Sequence, residues 1–158
     1  MSFGGPANSS EDSAVFMMLK LGSMWLQRPA TATRVDAGNI SPARSDFCTT
    51  VGASTIRDSR WSDSNYGAVL DVFAPGENIL TASKDSTLET QWANGTSFAA
   101  PHARSLSLPG IVAFFISQLG NGKRPAEMIV FVRDTAVRNV LTGIPFGTPN
   151  DLANNGNP

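Results

Sequence analysis

Residues 94–102 read Asn-Gly-Thr-Ser-Phe-Ala-Ala-Pro-His. A Gly-Thr-Ser turn opens an alanine-rich apolar run, the pattern of a polar helix start leading into a buried helix. This places Ser97 at or near the helix N-cap. There its hydroxyl is exposed, and the free N–H groups and dipole of the first turn favour negative charge. A nucleophile whose attack creates an oxyanion suits such a position. An ordinary serine cap on a core helix suits it too, and the nonapeptide alone leaves both readings open. Pro101 reads as a first-turn residue, where a missing N–H is tolerable.

Outward from this stretch, residues 47–54, 68–74 and 78–83 read as short strands, the second running into the turn pair Pro75-Gly76. Residues 97–119 read as a helical core segment with an interruption, and Gly110–Leu119 as a buried helix. Residues 125–139 predict a further helix, with Pro125 near its start and Glu127 in its first turn. Residues 11–22 predict an amphipathic helix that Gly22 can stop. The Asn/Gly/Pro-rich tail from Gly147 reads as irregular. Strands mixed with helices predict an α/β layer fold, in one domain over residues 1–158.

Composition excludes several functions. Apolar residues are 41% of the 158 and charged residues 16%, so the chain has material for a packed core. A net charge of −1 argues against nucleic acid as a partner. Trp25, Trp61 and Trp92 show no stacking pattern for bases. The apolar stretch Ala14 to Leu26 is broken by Lys20 and too short for a bilayer, and it lacks the order of a signal peptide, so no membrane partner is expected. One cysteine, Cys48, excludes a disulfide framework and reads as a small buried hydrophobe. The single histidine, His102, lies five residues after Ser97. At about 100° per helical residue that is about 140° around the axis, pointing away from the serine.

Several landmarks stand in a fixed order: MSFGGP at 1–6, VGAS at 51–54, SNYG at 64–67, LDVFAPG at 70–76, GTSFAAPH at 95–102 and NVLTGIPFGTPNDLANNG at 139–156. Together they resemble the subtilisin-like serine proteases, nearest the proteinase K branch. The resemblance implies a subtilisin-like α/β fold, a parallel sheet flanked by helices, here truncated and lacking the N-terminal part of the domain. It implies a serine endopeptidase with Ser97 as nucleophile. Phe3, Gly4 and Gly5 match the edge that pairs with an extended peptide substrate. Gly95 and Thr96 match a wall of the primary specificity pocket. Asp71 matches a calcium-binding carboxylate, with the backbone carbonyls of Asp46 and Cys48 as partners. His102 matches a structural histidine. The family is secreted.

The resemblance also marks departures. The family's Asp and His precede its serine in the chain, and neither has a counterpart here. Without a base a serine is a poor nucleophile. In subtilisin, loss of the histidine costs about a millionfold in kcat. The chain alone is therefore expected to be inactive and poorly stable, and the alternative role is a non-catalytic fragment that binds extended peptides. The family's oxyanion Asn lies in an A-A-G-N segment. Asn39, in Ala-Gly-Asn, is one candidate, but it abuts Ile40-Ser41-Pro42-Ala43 without the usual spacing. The preferred alternative is a frame change within residues 23–36. Met24–Thr31 can be encoded by ATG TGG CTG CAG CGG CCG GCA ACG. Preceded by C and read one base earlier, the same bases encode H-V-A-A-A-A-G-N, which would leave Asn39 a loop residue. After His102, the family's P-H-V-A-G is interrupted by about five added residues, among them Arg104 and Pro109, as a splice-boundary error or a surface loop would do.

Overall fold

The computed structural model describes residues 5–10, 12–14, 26–27, 34–83, 88–105 and 125–154. Among these the strands are β1 (Gly5–Pro6), β2 (Leu26–Gln27), β3 (Ile40–Ser41), β4 (Thr49–Ser54), β5 (Val72–Pro75), β6 (Ile79–Ala82), β7 (Thr90–Ala93), β8 (Val137–Arg138) and β9 (Asp151–Leu152). The helices are α1 (Thr96–Ser105) and α2 (Pro125–Asp134). All six residues of β4 are buried, as in a parallel strand covered on both faces. The sheet order is β2-β4-β5-β9-β8, parallel except for the β8–β9 pair. Two antiparallel ribbons stand apart from it, β1–β3 and β6–β7.

Alternation along the strands sorts the core into two layers. Val51 and Ala53 pair with Val72 and Ala74. These four pack with Ala99 and Ala100 of α1 and with Met128 and Val132 of α2. Alanines on both sides let α1 approach the sheet closely. On the opposite face lie Leu70, Phe73 and Leu141. A Cβ at Gly52 would lie 2.5 Å from the Phe73 ring, so the phenyl group occupies the space that this glycine leaves.

The fold corrects three boundaries. The strand expected over 68–74 begins at Val72. Before it Leu70 N–H closes a turn on Gly67, and Asp71 N–H reaches across to the Thr50 carbonyl. The helix expected over 125–139 ends at Asp134. The Thr135 hydroxyl donates to the Phe131 and Val132 carbonyls and satisfies the helix end. The tail expected to be irregular carries β9, where Leu152 pairs with Phe73 and Ala153 N–H donates to the Phe73 carbonyl. Asn150 prepares that entry by bonding both the N–H and the carbonyl of Leu141.

Residues 12–14 are helical, as expected for the start of the 11–22 helix, and so are Ser9 and Ser10 before it. The remainder of that helix, Gly110–Leu119 and the inserted residues near Pro109 lie outside the described residues. Leu26 and Gln27, in the segment with the alternative reading frame, pair parallel with Thr49 and Thr50.

Candidate active site

The site forms where β4 and β5 end and α1 begins, and Gly76 is the hinge pin. Its N–H donates to the Ser54 carbonyl at 3.0 Å, and its carbonyl accepts from Gly95 N–H at 2.7 Å. A Cβ at Gly76 would meet Ala53 Cβ at 2.7 Å, the Gly95 carbonyl at 2.9 Å and Ala99 Cβ at 3.0 Å. The two strand ends and the helix start can meet only because this residue has no side chain. A second tie lies beside it: Asn78 N–H donates to Asn94 Oδ1 at 2.5 Å.

Gly95, and not Ser97, holds the capping position. Its carbonyl accepts from Phe98 and Ala99 N–H at 3.0 and 3.2 Å, the first bonds of the helix. Its φ of +148° is a backbone state that side chains disfavour. A Cβ there would also stand 3.0 Å from Ser97 Oγ. Ser97 is therefore the second residue of α1, one position inside the Thr96 start. It is half-buried, and among the described residues its hydroxyl has no hydrogen-bond partner. Thr96 beside it is buried. Pro101 lies beyond the first turn, contrary to expectation. It cannot donate to the Ser97 carbonyl four residues back.

His102 Nδ1 lies 2.8 Å from the Pro75 carbonyl at the end of β5. The ring ties α1 to the sheet, in keeping with the opposed direction read from its spacing. Gly5 pairs antiparallel with Ser41 in the β1–β3 ribbon. Phe3 and Gly4 lie outside the described residues. Asn39 ends a 3-10 turn, Ala37–Asn39, that the Asp36 carboxylate caps through Gly38 N–H. Its side chain is exposed, and no hydrogen bond joins it to Ser97.

Asp46, Cys48 and Asp71 share a second place. They line a pocket of about 310 Å³ with Arg44, Leu70 and Arg133. Asp71 Oδ2 accepts from Thr50 N–H at 2.6 Å, and Oδ1 lies 3.6 Å from Arg133 Nη1. Burial pushes the Asp71 carboxyl up to about 6, against the pull of the Thr50 N–H and the Arg133 charge, and Asp46 adds to the rise. Burial, then the charges of Asp71 and Asp12, push the Cys48 thiol up to about 12. The thiol stays protonated and inert, so Cys48 offers a cation only its carbonyl. Among the described residues no three His, Cys, Asp or Glu side chains form a metal cluster. The donor set is thus one buried, incompletely compensated carboxylate plus main-chain oxygen. That set fits a hard cation completed by water, and fits zinc or another soft metal poorly.

Sequence reasoning missed Gly76 as the spacer and Asn94 as the tie. The Pro75-Gly76 pair signalled a turn, but only the folded chain shows which backbone it admits.

Residues 1–155 match the subtilase family. A cuticle-degrading protease of Metarhizium anisopliae is 42% identical over 156 residues, covering 99% of this chain and 38% of that protein. The subtilisin-like serine protease AsES of Sarocladium strictum is 38% identical over 160 residues, covering 100% of this chain and 38% of that protein. The crystal structure of a cold adapted subtilisin-like serine proteinase superposes with a TM-score of 0.84 at 33% identity, covering 96% of this chain and 52% of that one. The chain thus spans about two fifths of the length of these curated relatives.

Proposed function

The chain belongs to the subtilase family, and on that premise we propose that it carries the nucleophile of a serine-type endopeptidase, with Ser97 Oγ as the attacking atom. The observation that carries this reading is the build around the serine. Its hydroxyl stands over a glycine that can have no side chain, in the first turn of a helix anchored on two strand ends. Attack of Oγ on a substrate carbonyl forms a C–O bond and moves an electron pair onto the carbonyl oxygen. The first-turn dipole of α1 favours that charge. The hydroxyl proton must leave to a base, which then returns it to the departing amine. His102 is not that base, because its Nδ1 is engaged by Pro75 and the ring faces the sheet. The resemblance assigns the task to a His–Asp pair that these 158 residues do not contain.

As a separate 158-residue chain, the protein is read as a binder of extended peptides without turnover. The observation favouring this is β1, which pairs with β3 on one side. Its other edge can accept a peptide strand, and Phe3, Gly4 and Gly5 would supply that edge, with Gly95 and Thr96 walling the pocket beside Ser97. Asn39 remains the oxyanion candidate only if the written reading frame of residues 23–36 holds. Calcium, when bound, would supply positive charge beside the buried carboxylate of Asp71, with the Asp46 and Cys48 carbonyls as its other protein ligands. Secretion follows from the same family reading. Among the described residues no helix is long and apolar enough to cross a membrane.

The test is hydrolysis of casein by the product of the longest reading frame that contains this chain. Activity that falls about a millionfold in Ser97→Ala, the size of the loss in subtilisin, is the expected result. Hydrolysis that survives the substitution would overturn the assignment.

A further inference from the structure

Three Asn-x-Ser/Thr triplets stand in the sequence: Asn8-Ser9-Ser10, Asn39-Ile40-Ser41 and Asn94-Gly95-Thr96. None has proline in the middle, so each has the pattern of an acceptor for an N-linked oligosaccharide in a secreted chain. The fold treats the three differently. All three asparagines are exposed, but Ser41 is fully buried and Thr96 is 7% exposed. The transferring enzyme must reach both the asparagine amide and the hydroxyl residue two places on. Only in the first triplet are all three residues, Asn8, Ser9 and Ser10, exposed.

The bonds around Asn8 hold its backbone and leave its amide nitrogen available. Its N–H donates to Ser41 Oγ at 2.6 Å, and its carbonyl accepts from Asp12 N–H at 3.2 Å. The first of these also engages the hydroxyl oxygen of the second triplet. Asn8 Oδ1 accepts from Ser10 N–H at 2.9 Å. Nδ2, the atom that would carry a sugar, has no hydrogen-bond partner among the described residues. A sugar replaces one hydrogen on Nδ2 and leaves Oδ1 an acceptor, so the Ser10 bond survives attachment. Gly5 pairs with Ser41 and Pro6 with Ile40, so Asn8 lies beyond the Pro6 end of the β1–β3 ribbon. A glycan there stands at the end of the ribbon opposite Gly5.

We propose that Asn8 is an N-glycosylation site of this chain. The donor is an oligosaccharide carried on a polyprenyl diphosphate. Transfer forms a bond between Asn8 Nδ2 and the anomeric carbon of the first sugar. It breaks that carbon's bond to the diphosphate, which leaves with its lipid, and one Nδ2 proton passes to a base of the transferring enzyme. The proposal rests on the secretion reading above and takes nothing from the nucleophile assignment.

The experiment is synthesis of the 158-residue chain behind an added, cleavable signal peptide in a cell-free system with microsomes. Protection from added protease marks the chains that reached the lumen. Digestion with a peptide N-glycosidase marks the sugar, read as steps of mobility on a gel. The variants are Asn8→Gln, Ser10→Ala and Ser9→Ala. The protected unaltered chain should show a glycosidase-sensitive step. Asn8→Gln and Ser10→Ala should each lose one step, and Ser9→Ala, which leaves the pattern intact, should keep all of them. A protected chain without any glycosidase-sensitive step overturns the proposal. So does an Asn8→Gln or Ser10→Ala chain that keeps every step, or a step lost in Ser9→Ala. Transfer is read on imported chain whether or not it folds, so a variant that misfolds still decides the matter. Uptake by the same microsomes of the product of the longest reading frame, without the added signal, tests secretion separately, so the two readings fail in different samples.

Discussion

Substituting Gly76→Ala tests the spacer on which the serine turn depends. The new methyl would lie 2.7 Å from Ala53 Cβ, 2.9 Å from the Gly95 carbonyl and 3.0 Å from Ala99 Cβ. None of the three neighbours has a side-chain torsion with which to retreat. Either β5 or the start of α1 must therefore move by several tenths of an ångström. Inserting a methyl group into a packed site costs about 1–3 kcal/mol. With rigid neighbours on three sides the upper half of that range is expected. At a urea slope of about 2 kcal/mol per M, the unfolding midpoint should fall by about 1 M. Gly38→Ala is the comparison, because the only neighbour it meets is the Asp36 carboxylate at 3.2 Å, a group that can rotate. Circular dichroism during urea titration reads both. An unchanged midpoint in Gly76→Ala, or a larger drop in Gly38→Ala, would refute the spacer argument.

Asp71→Asn should alter the pH dependence of stability. Its carboxyl rises on folding from 3.8 to about 6, so folding favours the protonated form, and the metal-free chain loses stability as pH rises from about 4 through 6. The penalty is worth about 3 kcal/mol when complete, and thermal melts in chelator at pH 4 and pH 7 should show it in the unaltered chain but not in Asp71→Asn. Added calcium should raise the melting temperature of the unaltered chain at pH 7 and leave the variant unmoved. His102→Ala should lower stability by about 1 kcal/mol through the lost Pro75 bond, while fluorophosphonate labelling of Ser97 stays at its original rate; a fall in labelling would make His102 the base after all. Ser64→Ala should cost about 1–3 kcal/mol, because the Ser64 hydroxyl accepts from Ala53 N–H at 2.9 Å in the centre of β4; a urea midpoint equal to that of the unaltered chain would contradict this.

The parts of the fold legible in the sequence were those with a long signal. The buried run 49–54 has β-branched residues, small residues and a glycine, and it forms β4. The serine motif opened a helix because an alanine-rich run follows a glycine. Two-residue elements were illegible, whereas the four-residue β6 falls inside the strand read over 78–83. β9 has two residues and sits among Asn and Gly, so neither period nor propensity marks it. It exists because Phe73 offers a free backbone edge and Asn150 aims the chain at it. The end of α2 was misplaced because Val137 and Arg138 continue a plausible helical pattern, whereas the Thr135 hydroxyl closes the helix on its own carbonyls.

At the site, the start of a helix at the serine motif was legible, and the exact place of the serine within it was not. The cap fell to Gly95 because a φ of +148° leaves glycine as the fitting residue. The opposed direction of His102 followed from helical geometry, but its partner, the Pro75 carbonyl, is 27 residues away and needed the fold. Asp71 was singled out only through the resemblance of LDVFAPG to the family. Its burial, and its shared pocket with Asp46 and Cys48, depend on loops meeting in space.

The most direct measurement is peptide mapping of the fluorophosphonate adduct formed by the 158-residue chain, with and without added imidazole as an external base. A serine correctly placed but lacking its base should label slowly alone and faster with imidazole. The adduct should sit on Ser97 and vanish in Ser97→Ala. An adduct spread over other serines, or no Ser97 adduct even with imidazole, would contradict the claim that this helix start holds a nucleophile.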